Sequence, residues 1–313
     1  MKYASTQNQS HVLSRVKLFL ALSRTPHALL DMATPGVCAL LWMGSFPPAR
    51  VIILGIVTAF AGYTAVYGLN DLMDHRADTL KLRQEGFAEL KQYLDATLIR
   101  HPIARGLLGL RESIAWVAFW ALLALIGAYI LNPMCALIFV AGSLLEAAYC
   151  LLRKVSPMRM ALTGVVKTSG ALAAVIAVDP DPSGLFLIFL FLWLFFWEIG
   201  GQNIPADWAD IEGDGLIHAK TIPVLLGPKW AKGIALFCLV MAVLINIFLF
   251  RLTARGLTIY DGGASFLIGA YLLILPAYRL FKSNNRSDAM NLFNRASYYP
   301  LALLVVVTVR AFI

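Results

Sequence analysis

Nine apolar runs, each long enough to cross the roughly 30 Å of a bilayer's hydrocarbon core, constrain this chain more than any motif does. They lie at roughly 27–45, 50–69, 113–131, 133–152, 160–178, 183–201, 231–250, 264–281 and 296–313. Only 14% of the 313 residues are charged and 59% are hydrophobic, where a soluble domain carries about a quarter charged residues. Lipid must therefore be the solvent. In lipid every backbone N–H and C=O needs an internal partner, and runs of about 20 apolar residues satisfy that as α-helices. The predicted fold is all-α: one integral membrane bundle of about nine transmembrane helices over residues 1–313, with two pseudo-repeated halves near 18–152 and 153–313.

Orientation follows from the basic residues, which concentrate in cytoplasmic connections. Of the 26 Lys and Arg residues, only Arg50, Arg251, Arg255 and Arg310 fall at one set of connections, with Lys167 inside an apolar run. The rest lie at the N-terminus and in or beside the segments near 70–112, 153–159, 202–230 and 279–295. That places the N-terminus and the two long loops inside the cell, and the protein in the cytoplasmic membrane if bacterial. The formal charge of +8 is spread between apolar runs and forms no aromatic-interleaved groove, so nucleic acid is not an expected partner. Cys38, Cys135, Cys150 and Cys238 lie in apolar stretches with no zinc or redox spacing and read as small buried hydrophobes. Gln84–Arg100 reads as a short amphipathic helix. Met1–Ser10 lacks the apolar core of a signal peptide.

Both long loops open on clustered carboxylates. The second run ends in Asn70-Asp71-Leu72-Met73-Asp74-His75-Arg76-Ala77-Asp78, and the sixth leads to Asp207, Asp210 and Asp214, with Asn203 upstream. Each reads D-x-x-D-x-x-x-D, and positions i, i+3 and i+7 share one face of an α-helix. Three carboxylates in a stripe beside lipid repel one another and persist only with a cation. Magnesium is the hard ion that takes one or two carboxylates together with phosphate oxygens. Basic residues for a diphosphate follow: Lys81 after the first motif, Lys220 after the second, Arg153 and Lys154 on the loop between. Metal and cations could stabilise a departing pyrophosphate while an apolar cavity holds the tail and excludes water.

These residues resemble the UbiA superfamily of intramembrane prenyltransferases. Asn70 through Asp78 matches its N-D-x-x-D-x-x-x-D motif, and Asp207, Asp210 and Asp214, followed by Gly215, Thr221 and Gly227, match the second. Arg24-Thr25-Pro26 looks like the family's entry to the first helix, and Tyr149 with Arg153-Lys154 like its Tyr-x-x-x-Lys-Arg stretch. One segment departs: the Arg-Pro-x-x-x-Gly of many members is matched best by His101-Pro102-Ile103-Ala104-Arg105-Gly106, displaced by the Gln84–Arg100 stretch. The resemblance implies a Mg2+-dependent transfer of a polyprenyl group from its diphosphate to a lipophilic or aromatic acceptor, such as the quinone precursor 4-hydroxybenzoate. Porphyrin, glycerol phosphate and phosphoribosyl acceptors also occur in the superfamily.

The expected magnesium ligands are Asp71, Asp74, Asp207 and Asp210, then Asp78 and Asp214. Arg153, Lys154, Lys81, Lys220 and Lys167 are candidates for the diphosphate. Asn70, Asn203, Tyr149 and Arg24 are candidates for substrate contact. Glu146, Glu198 and Asp31 are further intramembrane charges, and Lys167 is expected to reach the diphosphate or pair with Glu146 or Glu198. Aromatics on the sixth run, from Phe186 to Trp197, could face a carbocation or simply pack. An ion-coupled transporter is the rival from another class, but transporter sites lie near the bilayer midplane and these motifs lie at helix ends. The hydropathy excludes a soluble prenyl-diphosphate synthase.

Overall fold

The computed structural model describes residues 14–85, 98–253, 255–256 and 258–312. The described helices are α1 (14–22), α2 (Thr25–Asp31), α3 (Ala33–Met43), α4 (Ala49–Glu85), α5 (Leu110–Leu131), α6 (Pro133–Leu151), α7 (Arg159–Val178) and α8 (Gly184–Trp197). Then come α9 (Ile204–Ala209), α10 (Ile211–Leu216), α11 (Ile222–Arg251), α12 (Ile259–Gly269), α13 (Leu275–Ser283) and α14 (Arg286–Phe312). Wide π turns at Glu198–Asn203 and Ala270–Ile274 join α8 to α9 and α12 to α13. No strand occurs among the described residues. Most of the Gln84–Arg100 stretch and all of Met1–Ser10 lie outside them.

Among the described residues, eight segments are long and apolar enough to cross a membrane, as a multi-pass integral membrane protein requires. The first expected crossing is not among them, because it is broken at Met32 into α2 and α3. Pro35 explains the break: it has no N–H to donate, and its ring crowds the carbonyl four residues back, that of Asp31. α4 is the longest helix, at 37 residues, or about 55 Å. It outruns the hydrocarbon and carries Asn70–Asp78 out at one end.

Helix contacts run nearly in chain order: α4 on α5, α5 on α6, α6 on α7, α7 on α8, and α8 on α11. α14 packs on α3, and α2 on both α14 and α4, closing the ring. Lipid tails are as apolar as leucine, so close van der Waals approach must hold such helices together. A Cβ on Gly68 of α4 would lie 2.6 Å from Val117 of α5, and one on Gly200 would lie 2.7 Å from the Ala235 carbonyl of α11.

The two sides of the bundle pack differently. Buried large side chains concentrate on α3, α8, α11 and α14, where Trp193, Trp197, Tyr299, Phe186 and Phe250 are sealed. Trp193 donates to the Tyr299 hydroxyl at 3.3 Å and Trp197 to the Ala296 carbonyl at 3.0 Å. The face of α4–α7 turned inward is instead rich in small residues, and a cavity opens there.

A carboxylate-rimmed cavity as the candidate active site

The cavity has a volume of about 650 Å³. On α4 its lining runs from Val51 to Lys81, a rise of about 45 Å. One end is apolar, with Val51, Ala128, Leu131, Ala173 and Val178; the other holds Asp74, Asp78, Asp207, Asp210 and Asp214. Both aspartate motifs therefore meet at one mouth.

Cations interleave with these acids. Lys81 reaches across from α4 to the second motif, with Nζ 2.5 Å from Asp210 Oδ2 and 2.8 Å from Asp214 Oδ1. Arg153 pairs with Asp74, and Arg159 lies 3.6 Å from Asp207. His101 Nδ1 is 3.1 Å from Asp71 and 2.9 Å from Asp78. Burial opposes a charged imidazole, but the carboxylates of Asp78 and Asp71 outweigh it, and the pKa of His101 is raised. Burial also pushes the Asp214 carboxyl up, against the pull of Lys81.

The first motif lies on continuous helix, but the second does not. α9 ends at Ala209, Asp210 leaves helical geometry (φ −112°, ψ 20°), and α10 starts afresh. The expected three-carboxylate stripe on one helix is corrected to a bend around Asp210. Gly213 accommodates it: a Cβ there would lie 2.8 Å from Asp210 Oδ1.

The other expected site residues divide. Asp71 is buried behind His101, away from the main cavity and beside a small pocket lined by Ala21 and Leu98. Arg24, Asn70, Tyr149, Asn203 and Arg153 line the main cavity. Arg24 donates to Asn70 Oδ1 at 3.3 Å, Asn70 to Glu146 at 2.7 Å, and Asn203 to the Tyr149 hydroxyl at 3.4 Å. Lys154 and Lys220 are exposed and stand outside the cavity lining; the Lys220 backbone N–H donates to the Arg153 carbonyl at 2.9 Å. Lys167 lines the cavity well below the motifs and pairs with Asp31, with the Tyr67 hydroxyl 2.6 Å away. The aromatic lining includes Tyr63, Tyr67, Phe139 and Tyr149, whereas Trp193 and Trp197 on the sixth run are sealed in the core.

Four site residues were not singled out from the sequence: Arg159, Tyr63, Tyr67 and His101 as a partner of the first motif. His101 had a signal, since it opens the displaced His-Pro segment. Its backbone is left-handed, at φ 53°, an uncommon conformation for a residue with a side chain.

The UbiA prenyltransferase family profile matches residues 32–298. The chain belongs to the UbiA prenyltransferase family. The 4-hydroxybenzoate octaprenyltransferase of Shewanella denitrificans is 24% identical over 237 residues, covering 74% of this chain and 75% of that protein. The protoheme IX farnesyltransferase of Photobacterium profundum is 24% identical over 289 residues, covering 89% and 82%. Among solved structures, a UbiA homologue from Archaeoglobus fulgidus bound to DMAPP and Mg2+ superposes with a TM-score of 0.65 at 16% identity, covering 92% of this chain and 99% of that one. The chain is thus a multi-pass membrane prenyltransferase by family and fold, and its two similar relatives differ in acceptor.

Proposed function

We propose that the protein transfers a polyprenyl group from its diphosphate to an aromatic, quinone-precursor acceptor, with magnesium held by the two aspartate motifs on the cytoplasmic side. The observation that carries this reading is the convergence of both motifs, with Lys81, Arg153 and Arg159, at one mouth of a long apolar-ended cavity.

The residues fit a hard divalent ion. Five carboxylates, Asp74, Asp78, Asp207, Asp210 and Asp214, line one mouth and offer the oxygen ligands such an ion takes, and Asp210 and Asp214 converge on a single ammonium. Asp74, Asp78, Asp207, Asp210 and Asp214 would hold magnesium, with Asp71 supporting the first motif from behind. Bound there, magnesium supplies charge neutralisation for the departing diphosphate. Lys81, Arg153 and Arg159 orient the phosphates with charge-assisted hydrogen bonds. Tyr63, Tyr67 and Tyr149 present aromatic groups to the allylic end, and the apolar wall below keeps water from it. Asn70 and Asn203, both in the cavity lining, contact the acceptor.

The test is diphosphate release by the protein in nanodiscs, given geranylgeranyl diphosphate and an acceptor panel led by 4-hydroxybenzoate, with a porphyrin and a glycerol phosphate alongside. Release should require magnesium and fall by about a thousandfold in Asp74→Ala and Asp207→Ala, comparable with losing a preorganised electrostatic contact. Folded protein that binds no diphosphate in the presence of magnesium would sink the proposal.

A further inference from the structure

Below the mouth, the π turn Glu198–Asn203 carries three buried polar side chains, Glu198, Gln202 and Asn203, into the cavity lining. Such wide turns interrupt α-helices mostly at functional sites. This one presses Gly200 against α11 and Gly201 against Ala296 of α14, and Glu198 lines the cavity.

Glu198 is 4% exposed. One carboxylate oxygen has a single distant donor, Thr163 Oγ1 at 3.5 Å. The other, Oε2, has no hydrogen-bond partner among the described residues. A buried carboxylate oxygen left unmatched is costly in a low-dielectric setting, and a donor entering the cavity would relieve it. The depth suits a second substrate: Glu198 is nine residues before Asp207, about 13 Å along the helix.

The charges around it define that substrate further. The groups acting on Glu198 are Lys167, Asp31 and Glu146. Lys167, the ammonium at this level, is already committed to Asp31, and Glu146 takes its hydrogen bond from Asn70. At the depth of Glu198 a carboxylate or phosphate on the acceptor would meet Glu198, Glu146 and Asp31, with Lys167 and His27 both beside Asp31, while Arg24 and Arg159 lie toward the mouth, against Asn70 and Asp207. A neutral hydroxyl would meet an unsatisfied acceptor.

We infer that Glu198, in the cavity lining, anchors an uncharged, hydroxyl-bearing acceptor through the carboxylate oxygen that has no partner. The inference rests on the prenyl-transfer reading and narrows its acceptor. Prenylation breaks the bond between the allylic carbon and the diphosphate oxygen, whose electron pair leaves with the diphosphate. The acceptor supplies the electrons of the new bond and loses one proton, which Glu198 receives.

The experiment uses full-length protein in nanodiscs with magnesium and the non-ionising thiolodiphosphate analogue of geranylgeranyl diphosphate. Binding of 4-hydroxybenzoate is compared with that of its uncharged methyl ester. The ester should bind at least about tenfold more tightly, and Glu198→Gln should weaken it by about fivefold to tenfold, as when a charge-assisted hydrogen bond becomes a neutral one. Analogue binding should stay within about twofold, and Glu198→Asp should recover part of the ester affinity. Tighter binding of the acid, no binding of either phenol, or an unchanged Glu198→Gln would each overturn the inference. So would loss of analogue binding in Glu198→Gln, which would make the residue structural. Absence of magnesium-dependent analogue binding in the wild type would instead defeat the prenyl-transfer reading itself.

Discussion

Lys81 on α4 donates to Asp214 on α10 at 2.8 Å, and through that contact one aspartate motif reaches the other across the cavity mouth. Its ammonium also reaches Asp210, so it holds the second motif together when no metal is bound. A diphosphate arriving with magnesium would take over this cation. Replacing Lys81 with Met removes a charged hydrogen-bond donor contributing about 1.5–3 kcal/mol. The expected result is a rise of about 10- to 100-fold in the KM for the allylic diphosphate, read from steady-state release, with the fold retained by circular dichroism.

Gly213 offers a gentler perturbation of the same site. A Cβ there would crowd Asp210 Oδ1 at 2.8 Å and Lys81 Cδ at 3.4 Å. The Asp210 side chain is half exposed and can swing aside, so Gly213→Ala should fold normally. It should raise the magnesium concentration needed for half-maximal release about fivefold, an effect of about 1 kcal/mol. An unchanged magnesium titration would mean that Asp210 is not a ligand.

Much of this site was legible in the sequence, for a physical reason. Carboxylates beside lipid are expensive enough that two such clusters had to share a purpose, and Asp74, Asp78, Asp207, Asp210 and Asp214 do line one mouth. What could not be read was partner choice across distant segments. Lys167, expected to pair with Glu146 or Glu198, pairs instead with Asp31, 136 residues away, a partner that no local spacing points to. The bend at Asp210 was hidden too: helical spacing says which residues could share a face, and Gly213 and Gly215 weaken the helix that would enforce it.

The Lys167–Asp31 pair has its own consequence for stability. Both groups are buried in the bundle, at side-chain exposures of 15% and 2%. Removing one partner of a buried pair costs about 3–5 kcal/mol because the other charge is stranded, whereas removing both is often close to neutral. Lys167→Met alone should therefore sharply lower the Tm in detergent, and Lys167→Met with Asp31→Asn should restore most of the loss. Additive losses in the double variant would show that the two charges are not energetically coupled.

The far end of the cavity sets how long a tail can enter. Gly55 of α4 lines it, and a Cβ there meets nothing within 4 Å. It lies fifteen residues from Asn70, about 23 Å deeper. A Phe at this position extends an aromatic ring into open space without displacing a neighbour, so the bundle should tolerate it. A short allylic diphosphate ends above the ring and a long one collides with it. Gly55→Phe should leave kcat/KM for geranyl diphosphate within about twofold and lower that for geranylgeranyl or longer donors by more than about tenfold, a loss of at least 1.4 kcal/mol in transition-state stabilisation. Equal losses for short and long donors would place the tail elsewhere, outside the part of the cavity beside Gly55.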